Sequence, residues 1–396
     1  MHADLQTKAY FTPYGVGLGH ASRLMMIAKQ LQKLDVSSKF SSYGEAVRYL
    51  TMHGYDCLAV PPVDLAWGTD GGFSVKESIA KLPNLFANFF RQITTESRNM
   101  IEYSPDIIVS DTRLSSVLSG ELLGIPSVVI LNQLKLLLSP RLREVKAARI
   151  YEKLNGEFLG MMWSIANKIL IPDLPPPYTL SEQNSWDNST ALKKLQYVGF
   201  ITPEVRLGEE QTHKVARNLE LDRNRPIIFV HISGPTGTRM HLIKLTIEAC
   251  KMLRPEFQYI ISEGNPKGST IPSRLQGNGW YYEWCPVRDE IFVLSDALVL
   301  RGGHAVLSQA IQFGKPVLTI PIENHGEQLG NSSKIAQIGA GIALNPKQIT
   351  ASQITAGIQE VVDNSEYQKK AAFLMGISAK LNGIENIVQV IRSYLK

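Results

Sequence analysis

Two residues in the first half of the chain could form a general base. His20 follows the glycine-rich segment Gly15–Gly19 at the predicted start of a helix, where the helix dipole opposes positive charge and favours a neutral imidazole. Asp111 follows the run Ile107–Val109, past the end of a predicted strand, where open parallel sheets bind their ligands. This carboxylate could orient His20 and hold its proton. The alternatives are a histidine that caps a turn and an aspartate that caps the next helix.

Two segments in the second half have the composition of an anion-binding site. Each joins a predicted strand to the start of a helix, where free backbone N–H groups bind phosphates. The residues that could bind a diphosphate are hydroxyl, glycine and arginine residues, namely Ser233, Gly234, Thr236, Gly237, Thr238, Arg239, Arg301, Gly302 and Gly303. The alternative is an ordinary strand-to-helix turn. An ATPase is disfavoured because the lysine of a Walker loop is missing.

A polar loop, residues 321–328, follows the last predicted strand. It concentrates acid, amide and imidazole groups, among them Glu327 and Gln328, after a strand end. These groups could hydrogen-bond a sugar, and a solvated connection is the alternative.

The elements that must position these residues alternate between short apolar runs and amphipathic helices. In the first helix, Leu24, Ile27, Ala28 and Leu31 have the spacing of one buried face. The predicted strands are Ala9–Thr12, Asp106–Val109, Ser127–Leu131, Ile227–Ile232, Gln258–Ser262, Ala297–Leu300 and Pro316–Ile320. Since the strands are apolar and joined by helices, we expect an α/β protein with two parallel sheets, each covered on both faces.

The domain organisation follows from a change in composition after Phe200. Residues 201–225 are polar and charged, which is typical of a connection between domains. We therefore predict an N-terminal domain over residues 1–200, a linker over 201–225 and a second domain from residue 226.

Composition excludes several classes of protein. The chain has 396 residues with 41 basic and 36 acidic side chains, and the net charge of +5 is too small for an extended nucleic-acid surface. Its three cysteines show neither CxxC nor zinc-ligand spacing. No segment has the ~18–20 apolar residues of a membrane span or the pattern of a signal peptide. We expect a cytoplasmic protein that binds no nucleic acid.

The order of residues in the C-terminal third resembles the nucleotide-sugar glycosyltransferases of the GT-B fold. The chain is similar both to the UDP-glycosyltransferase family and to the bacterial enzyme that adds N-acetylglucosamine to the lipid-linked precursor of peptidoglycan. The residues that carry the resemblance are Trp284, Pro286, Arg301, Gly303, Gly314, Pro316, Gln328 and Asn331. The glycine-histidine segment before the first helix resembles the acceptor-activating motif of these families.

The resemblance implies two Rossmann-like parallel-sheet domains that face each other across a cleft. The N-terminal domain would bind the acceptor, and residues 226–380 would bind the donor, a hexose on a nucleoside diphosphate such as UDP. The last helix, within residues 381–396, would cross back to the first domain. No cofactor or metal is implied, and the sequence contains no Asp-x-Asp pair.

The resemblance also assigns roles to residues. His20 would be the base of an inverting transfer, Asp111 its partner, and Gly17 and Gly19 part of the acceptor-side loop. On the donor side, Trp284 would stack on the nucleotide base, and Glu327 with Gln328 would bind the hexose. The remaining donor contacts would come from the two phosphate-binding segments and their neighbours, including Cys285, Val287, His304, Ala305, Val306 and Gln309. Gln309 replaces the glutamate that usually binds the ribose, which leaves nucleotide preference open.

Several alternatives stay open. A nucleotide-sugar epimerase shares this fold, and a non-catalytic donor-binding subunit of a two-chain transferase is also consistent with Gln309. The acceptor could be a small molecule or a lipid-linked one. Phe86, Phe89 and Phe90 with Arg91, and Leu134–Leu138 with Arg141 and Arg143, could seat the protein on an anionic membrane or form part of a domain core.

Overall fold

The structure is a computed structural model that describes residues 6–16, 18–63, 75–132, 144–181, 189–202, 208–234, 236–265 and 267–395. Within these residues the strands form two seven-stranded sheets, one in each half of the chain. The predicted α/β class with two Rossmann-like sheets is confirmed.

The first sheet has the strand order β3-β2-β1-β4-β5-β6-β7, and its neighbouring strands pair in parallel. Its strands are β1 (Lys8–Pro13), β2 (Ser37–Ser42), β3 (Cys57–Ala59), β4 (Ile107–Asp111), β5 (Ser127–Ile130), β6 (Lys168–Ile171) and β7 (Leu195–Tyr197). The helices of this half are α1 (Leu18–Gln32), α2 (Glu45–Met52), α3 (Val75–Tyr103), α4 (Leu114–Leu123), α5 (Lys146–Trp163) and α6 (Ser189–Leu192).

The second sheet has the order β10-β11-β9-β8-β12-β13-β14 and is parallel except for the antiparallel pair β10 and β11. Its strands are β8 (Ile227–His231), β9 (Gln258–Ser262), β10 (Ser273–Leu275), β11 (Gly279–Tyr282), β12 (Ala297–Leu300), β13 (Val317–Thr319) and β14 (Gly341–Ala343). The remaining helices are α7 (Glu209–Asn218), α8 (Thr236–Lys251), α9 (Arg288–Leu294), α10 (His304–Gln312), α11 (Gly326–Ile338), α12 (Ala351–Asp363), α13 (Ser365–Ser378) and α14 (Gly383–Arg392).

Each sheet is buried on both faces by helices. In the first half, α1 packs its predicted apolar face against the sheet, with Leu24, Ile27, Ala28 and Leu31 fully buried. The opposite face of that sheet packs under α3, α4 and α5. In the second half, α8 and α12 cover one face and α7, α9, α10 and α13 the other. This arrangement leaves the carboxyl edges of both sheets free for a site.

The helix within the predicted linker and the last helix of the chain pack into different cores. Within the predicted linker, α7 buries Val215 and Ala216 in the core of the second half. At the end of the chain, α14 buries Ile387, Val388 and Ile391 against α1 and the first sheet. The two halves are therefore joined by packing as well as by the connection between them.

The surface of the first half exposes large apolar side chains. Phe86 and Phe90 on α3 are 58% and 64% exposed, so the interpretation that they belong to a core is wrong. Leu134–Leu138, Arg141 and Arg143 lie outside the described residues. In the part of the chain that the structure describes, no helix combines the length and hydrophobicity needed to cross a bilayer.

Candidate active site

His20 and Asp111 lie together at the carboxyl edge of the first sheet. β1 and β4 are neighbours, with Pro13 opposite Asp111, so the turn after β1 brings the start of α1 next to the end of β4. Gly15 makes this turn close, because a Cβ there would stand 2.3 Å from the ring of Tyr43. Gly19 has open space around its Cβ position, and Gly17 lies outside the described residues.

The two side chains are hydrogen-bonded. His20 Nδ1 lies 2.8 Å from Asp111 Oδ1, the carboxylate is fully buried, and the imidazole side chain is 26% exposed. An ionised carboxylate can only accept hydrogen bonds, so a neutral His20 would carry its proton on Nδ1 and present the lone pair of Nε2. This is the orientation that a general base requires.

A third residue, Arg23, completes this cluster. It was not predicted from the sequence. Its Nε and Nη2 donate to the two oxygens of Asp111, each at 2.8 Å, and its Nη1 donates to Asn132 Oδ1 at 2.6 Å. Burial raises the pKa of the Asp111 carboxyl, but the positive charge of Arg23 and the contact with His20 outweigh burial, so this pKa lies below its ordinary value. The sequence of α1 alone does not reveal this role, because it depends on contacts with β4 and with the segment after β5.

Arg301 lies at the carboxyl edge of the second sheet, directly after β12. Its side chain is buried, its Nε has no hydrogen-bond partner among the described residues, and burial lowers the pKa of the guanidinium to about 10. A buried cation without a carboxylate partner is costly unless an anionic ligand binds it.

The turn after Arg301 directs a helix N-terminus toward the same edge. Gly302 has a φ of 82° and touches α11, where a Cβ would meet Ser332 Oγ at 2.3 Å, so only glycine fits there. Asn331 Nδ2 donates to the Gly302 carbonyl at 3.2 Å and holds the turn. Gly303 is the N-cap of α10, whose free N–H groups therefore lie beside Arg301.

Two further buried polar residues end strands at the same carboxyl edge of the second sheet. His231 ends β8, opposite Ser262 of β9 and Leu300 of β12. His231 Nδ1 and Ser262 Oγ both lack partners among the described residues. Burial, assisted by the charge of Arg288, lowers the pKa of His231 to about 3, so its imidazole is neutral. Neither residue was predicted from the sequence to belong to the site.

Arg239 is placed differently from the predicted diphosphate contact. It is buried and donates to Glu263 Oε1 at 3.0 Å, while the Tyr281 hydroxyl donates to the other oxygen of Glu263. Its charge is therefore neutralised within the protein. In the same loop, Ser233, Gly234 and Gly237 are exposed and Thr238 is half-buried, and the Thr236 side chain lies outside the described residues.

The other predicted donor residues divide into accessible and packed side chains. Trp284 is 38% exposed, whereas Cys285 and Val287 pack into the core of the second half, where burial raises the pKa of the Cys285 thiol to about 12. Gln328 Oε1 accepts from Ile322 N at 3.0 Å, and Glu327 is half-buried. On α10, Ala305 is exposed, Val306 is partly buried against the core, and Gln309 is buried.

His304 connects the two halves. It is the first residue of α10, and its Nε2 lies 3.1 Å from Oδ2 of Asp173, which follows β6 of the first sheet. Both side chains are buried. Because each residue follows the carboxyl end of a strand, the carboxyl edges of the two sheets meet here. The cluster of His20 and that of Arg301 thus lie at edges that face each other.

This architecture, two parallel α/β sheets whose carboxyl edges face each other, is that of the GT-B glycosyltransferases. The C-terminal domain of the erythromycin biosynthesis protein CIII-like family matches residues 268–380. An uncharacterized glycosyltransferase of Methanosarcina acetivorans is 27% identical over 389 residues, which cover 94% of both chains.

Solved structures share this fold over 98% of the chain. The spinosyn forosaminyltransferase SpnP superposes with a TM-score of 0.67 at 18% identity and covers 98% of both chains. The spinosyn rhamnosyltransferase SpnG complexed with thymidine diphosphate has a TM-score of 0.67 at 15% identity, covering 98% of this chain and all of its own.

These likenesses confirm the prediction of a GT-B glycosyltransferase. They do not confirm the narrower resemblance to the peptidoglycan N-acetylglucosaminyltransferase. The relatives are named as transferases, which does not favour an epimerase or a non-catalytic subunit. Within the described residues, no group of three or more His, Cys, Asp or Glu side chains is placed to hold a metal ion.

Proposed function

We propose that the protein transfers a hexose from a nucleoside diphosphate sugar to an acceptor hydroxyl, with His20 as the general base and without a metal. The observation that carries this proposal is the buried guanidinium of Arg301, whose Nε has no partner among the described residues, at a sheet edge that faces the pair His20 and Asp111. Arg301 can bind an anionic leaving group, and the pair of His20 and Asp111 can accept a proton.

The donor would bind along the carboxyl edge of the second sheet. Arg301 and the N-terminus of α10 would hold the diphosphate, and the accessible Trp284 would stack on the base. Gln309 would bind the ribose and Glu327 the hexose. A uridine donor is our first expectation, and a thymidine donor is the second because SpnG was solved with thymidine diphosphate.

The reaction would proceed by direct displacement. As the acceptor oxygen bonds to the anomeric carbon, the bond from that carbon to the diphosphate breaks and the leaving group takes the electron pair. The acceptor proton moves to His20 Nε2, and Arg301 and the helix N-terminus stabilise the charge on the diphosphate. Attack opposite the leaving group inverts the anomeric configuration.

The acceptor side carries an apolar surface that suits a membrane. The solvent-facing side of α5 exposes Ile150, Tyr151, Leu154, Phe158 and Met161, each more than half exposed. The exposed charges on this helix are basic at Lys146, Arg149 and Lys153 and acidic at Glu157. We propose that this surface, the α5 stripe, contacts an anionic membrane and that the acceptor is lipid-linked.

A thermal-shift panel tests donor binding. UDP-, dTDP- and GDP-sugars are added to the wild type, where a donor at ~100 Kd adds about 2.7 kcal/mol of stability. Arg301→Met should weaken binding by about 10–100-fold, since it removes a charged hydrogen-bond donor. The same substitution should raise the free energy of unfolding without ligand, because it removes a buried unpaired charge.

The controls separate binding from chemistry. Arg217→Gln removes an exposed arginine of α7 and should keep wild-type affinity. His20→Asn should bind the donor like the wild type but lose about 10²–10⁴-fold of any transfer found with a mixture of hydroxyl acceptors. The proposal is abandoned if no nucleotide sugar shifts the wild type, or if His20→Asn keeps full transfer.

A further inference from the structure

We infer that Arg23 is a positioning residue that fixes the tautomer of His20 by keeping Asp111 a pure hydrogen-bond acceptor. The inference rests on the proposed function, in which His20 Nε2 takes the acceptor proton. Arg23 can act in this way without contacting the substrate.

The hydrogen-bond partners of Asp111 indicate the role of Arg23. Oδ1 accepts from His20 Nδ1 at 2.8 Å, from Arg23 Nη2 at 2.8 Å and from Thr112 Oγ1 at 3.1 Å. Oδ2 accepts from Arg23 Nε at 2.8 Å. A guanidinium can only donate, so Arg23, whose Nη2 also lies 3.4 Å from His20 Nδ1, favours the ionised carboxylate whatever the tautomer of His20.

Burial works against this ionised state. Asp111 is fully buried, and an isolated carboxyl in such a place would favour its neutral form. Arg23 supplies the compensating charge, and it is itself tied down by the 2.6 Å bond from Nη1 to Asn132 at the end of the neighbouring strand β5. Arg23 thus joins α1, β4 and the segment after β5 around one carboxylate.

The protonation state of Asp111 determines whether His20 Nε2 has a free lone pair. If Asp111 takes up a proton on Oδ1, the oxygen that faces His20, its O–H becomes a donor, and His20 Nδ1 must then accept rather than donate. The neutral imidazole would carry its proton on Nε2, which removes the lone pair that the acceptor hydroxyl needs. The groups that surround this pair, besides Arg23, Thr112 and Asn132, include Tyr14, whose ring lies edge-on to His20 at 5.6 Å.

The experiment observes the tautomer directly. Protein labelled with ¹⁵N in its histidines gives long-range proton–nitrogen spectra that distinguish Nδ1–H from Nε2–H, and His20→Asn identifies the signal among the eight histidines. In the wild type at pH 7.5, chosen as about one unit above the ordinary histidine value, we expect Nδ1–H. Arg23→Met should convert most of the His20 signal to Nε2–H and lower transfer mainly through kcat.

Two variants separate charge from packing. Arg23→Lys keeps a positive charge without the guanidinium fork and should restore the Nδ1–H form at least in part. Lys29→Gln removes an exposed charge from the same helix and should leave the spectrum as in the wild type. An unchanged tautomer in a folded Arg23→Met, or an Nε2–H form in the wild type itself, would overturn the inference.

The tautomer measurement needs no substrate. Failure of donor binding or transfer therefore counts against the proposed function, whereas an unaltered His20 signal counts against the role of Arg23. If Arg23→Met does not fold, the wild-type tautomer and the Arg23→Lys spectrum still decide the matter.

Discussion

His231 is a buried neutral histidine at the end of β8, and its lowered pKa makes the stability of the protein depend on pH. Burial, together with the charge of Arg288, lowers its pKa to about 3 from the ordinary value of 6.5. Between these two values the unfolded chain binds a proton that the folded protein excludes. Stability should therefore fall as the pH falls from 6.5 toward 3, by about 1.4 kcal/mol for each pH unit from this residue.

Urea unfolding at several pH values from 4.5 to 7.5 tests this prediction. His231→Gln should lose this part of the pH dependence, so its free energy of unfolding changes less on acidification than that of the wild type. His241→Gln, in which an exposed histidine of α8 is removed, is the matched control. Equal slopes for His231→Gln and the wild type would show that His231 is not held neutral.

Side chains that act through their neighbours are the part of the site that the sequence could not predict. His20 and Asp111 were found because each follows a strand end or begins a helix, which is a local signal. Arg239 also had such a signal, but whether its charge is free depends on Glu263, 24 positions further along. Arg23 and His231 became recognisable only when other strands and helices surrounded them.

At the scale of elements, runs of apolar residues predicted seven strands, including the three-residue β13, but not the six-residue β2, whose sequence SSKFSS is mostly polar. β9 and β12 were predicted with the observed bounds because five and four consecutive residues are buried there. β3, β7, β10 and β14 have three residues each, which is too short for any periodicity. The helix α7 was missed because its apolar face is narrow within a polar segment.

The α5 stripe leads to a prediction about membrane binding. We expect the wild type to sediment with vesicles that contain anionic phospholipid at low salt, and to be released as salt screens Lys146, Arg149 and Lys153. The double variant Leu154→Glu/Phe158→Glu should lose most of this binding, because both side chains are more than half exposed and central in the stripe.

A matched control places the same charge elsewhere. Met252→Glu, at a residue 54% exposed in the second half, should sediment like the wild type. Circular dichroism of each variant checks that the fold is retained. If the wild type does not sediment at low salt, the lipid-linked acceptor is withdrawn while the donor chemistry is unaffected.

At the scale of the whole molecule, the core of the second half incorporates parts of the first. Leu174, Leu180 and Phe200 belong to the cluster that also holds α7, α9 and α10. In return, α14 packs on the first sheet. The polar composition after Phe200 predicts a connection, whereas packing across it depends on tertiary contacts. These crossings join the two halves by packing.

The contact between His304 and Asp173 should transmit donor binding to the first half. His304 begins the helix whose N-terminus would hold the diphosphate, and Asp173 also accepts from Leu174 N at 2.7 Å, Leu180 N at 3.1 Å and Ser181 N at 2.9 Å. We therefore expect nucleotide sugar to slow hydrogen exchange in residues 174–181 of the wild type. In His304→Ala this donor effect should be lost, and stability should fall by about 1–3 kcal/mol, since a buried carboxylate oxygen loses one of its partners.

The control for this experiment is a variant that loses similar stability within one half. Asn364→Ala removes the N-cap of α13 and should cost about 0.5–2 kcal/mol, yet it leaves the contact between the halves in place. It should keep the donor-dependent protection of residues 174–181. Equal protection in His304→Ala and the wild type would contradict the prediction, because the two edges would then respond to the donor without this hydrogen bond.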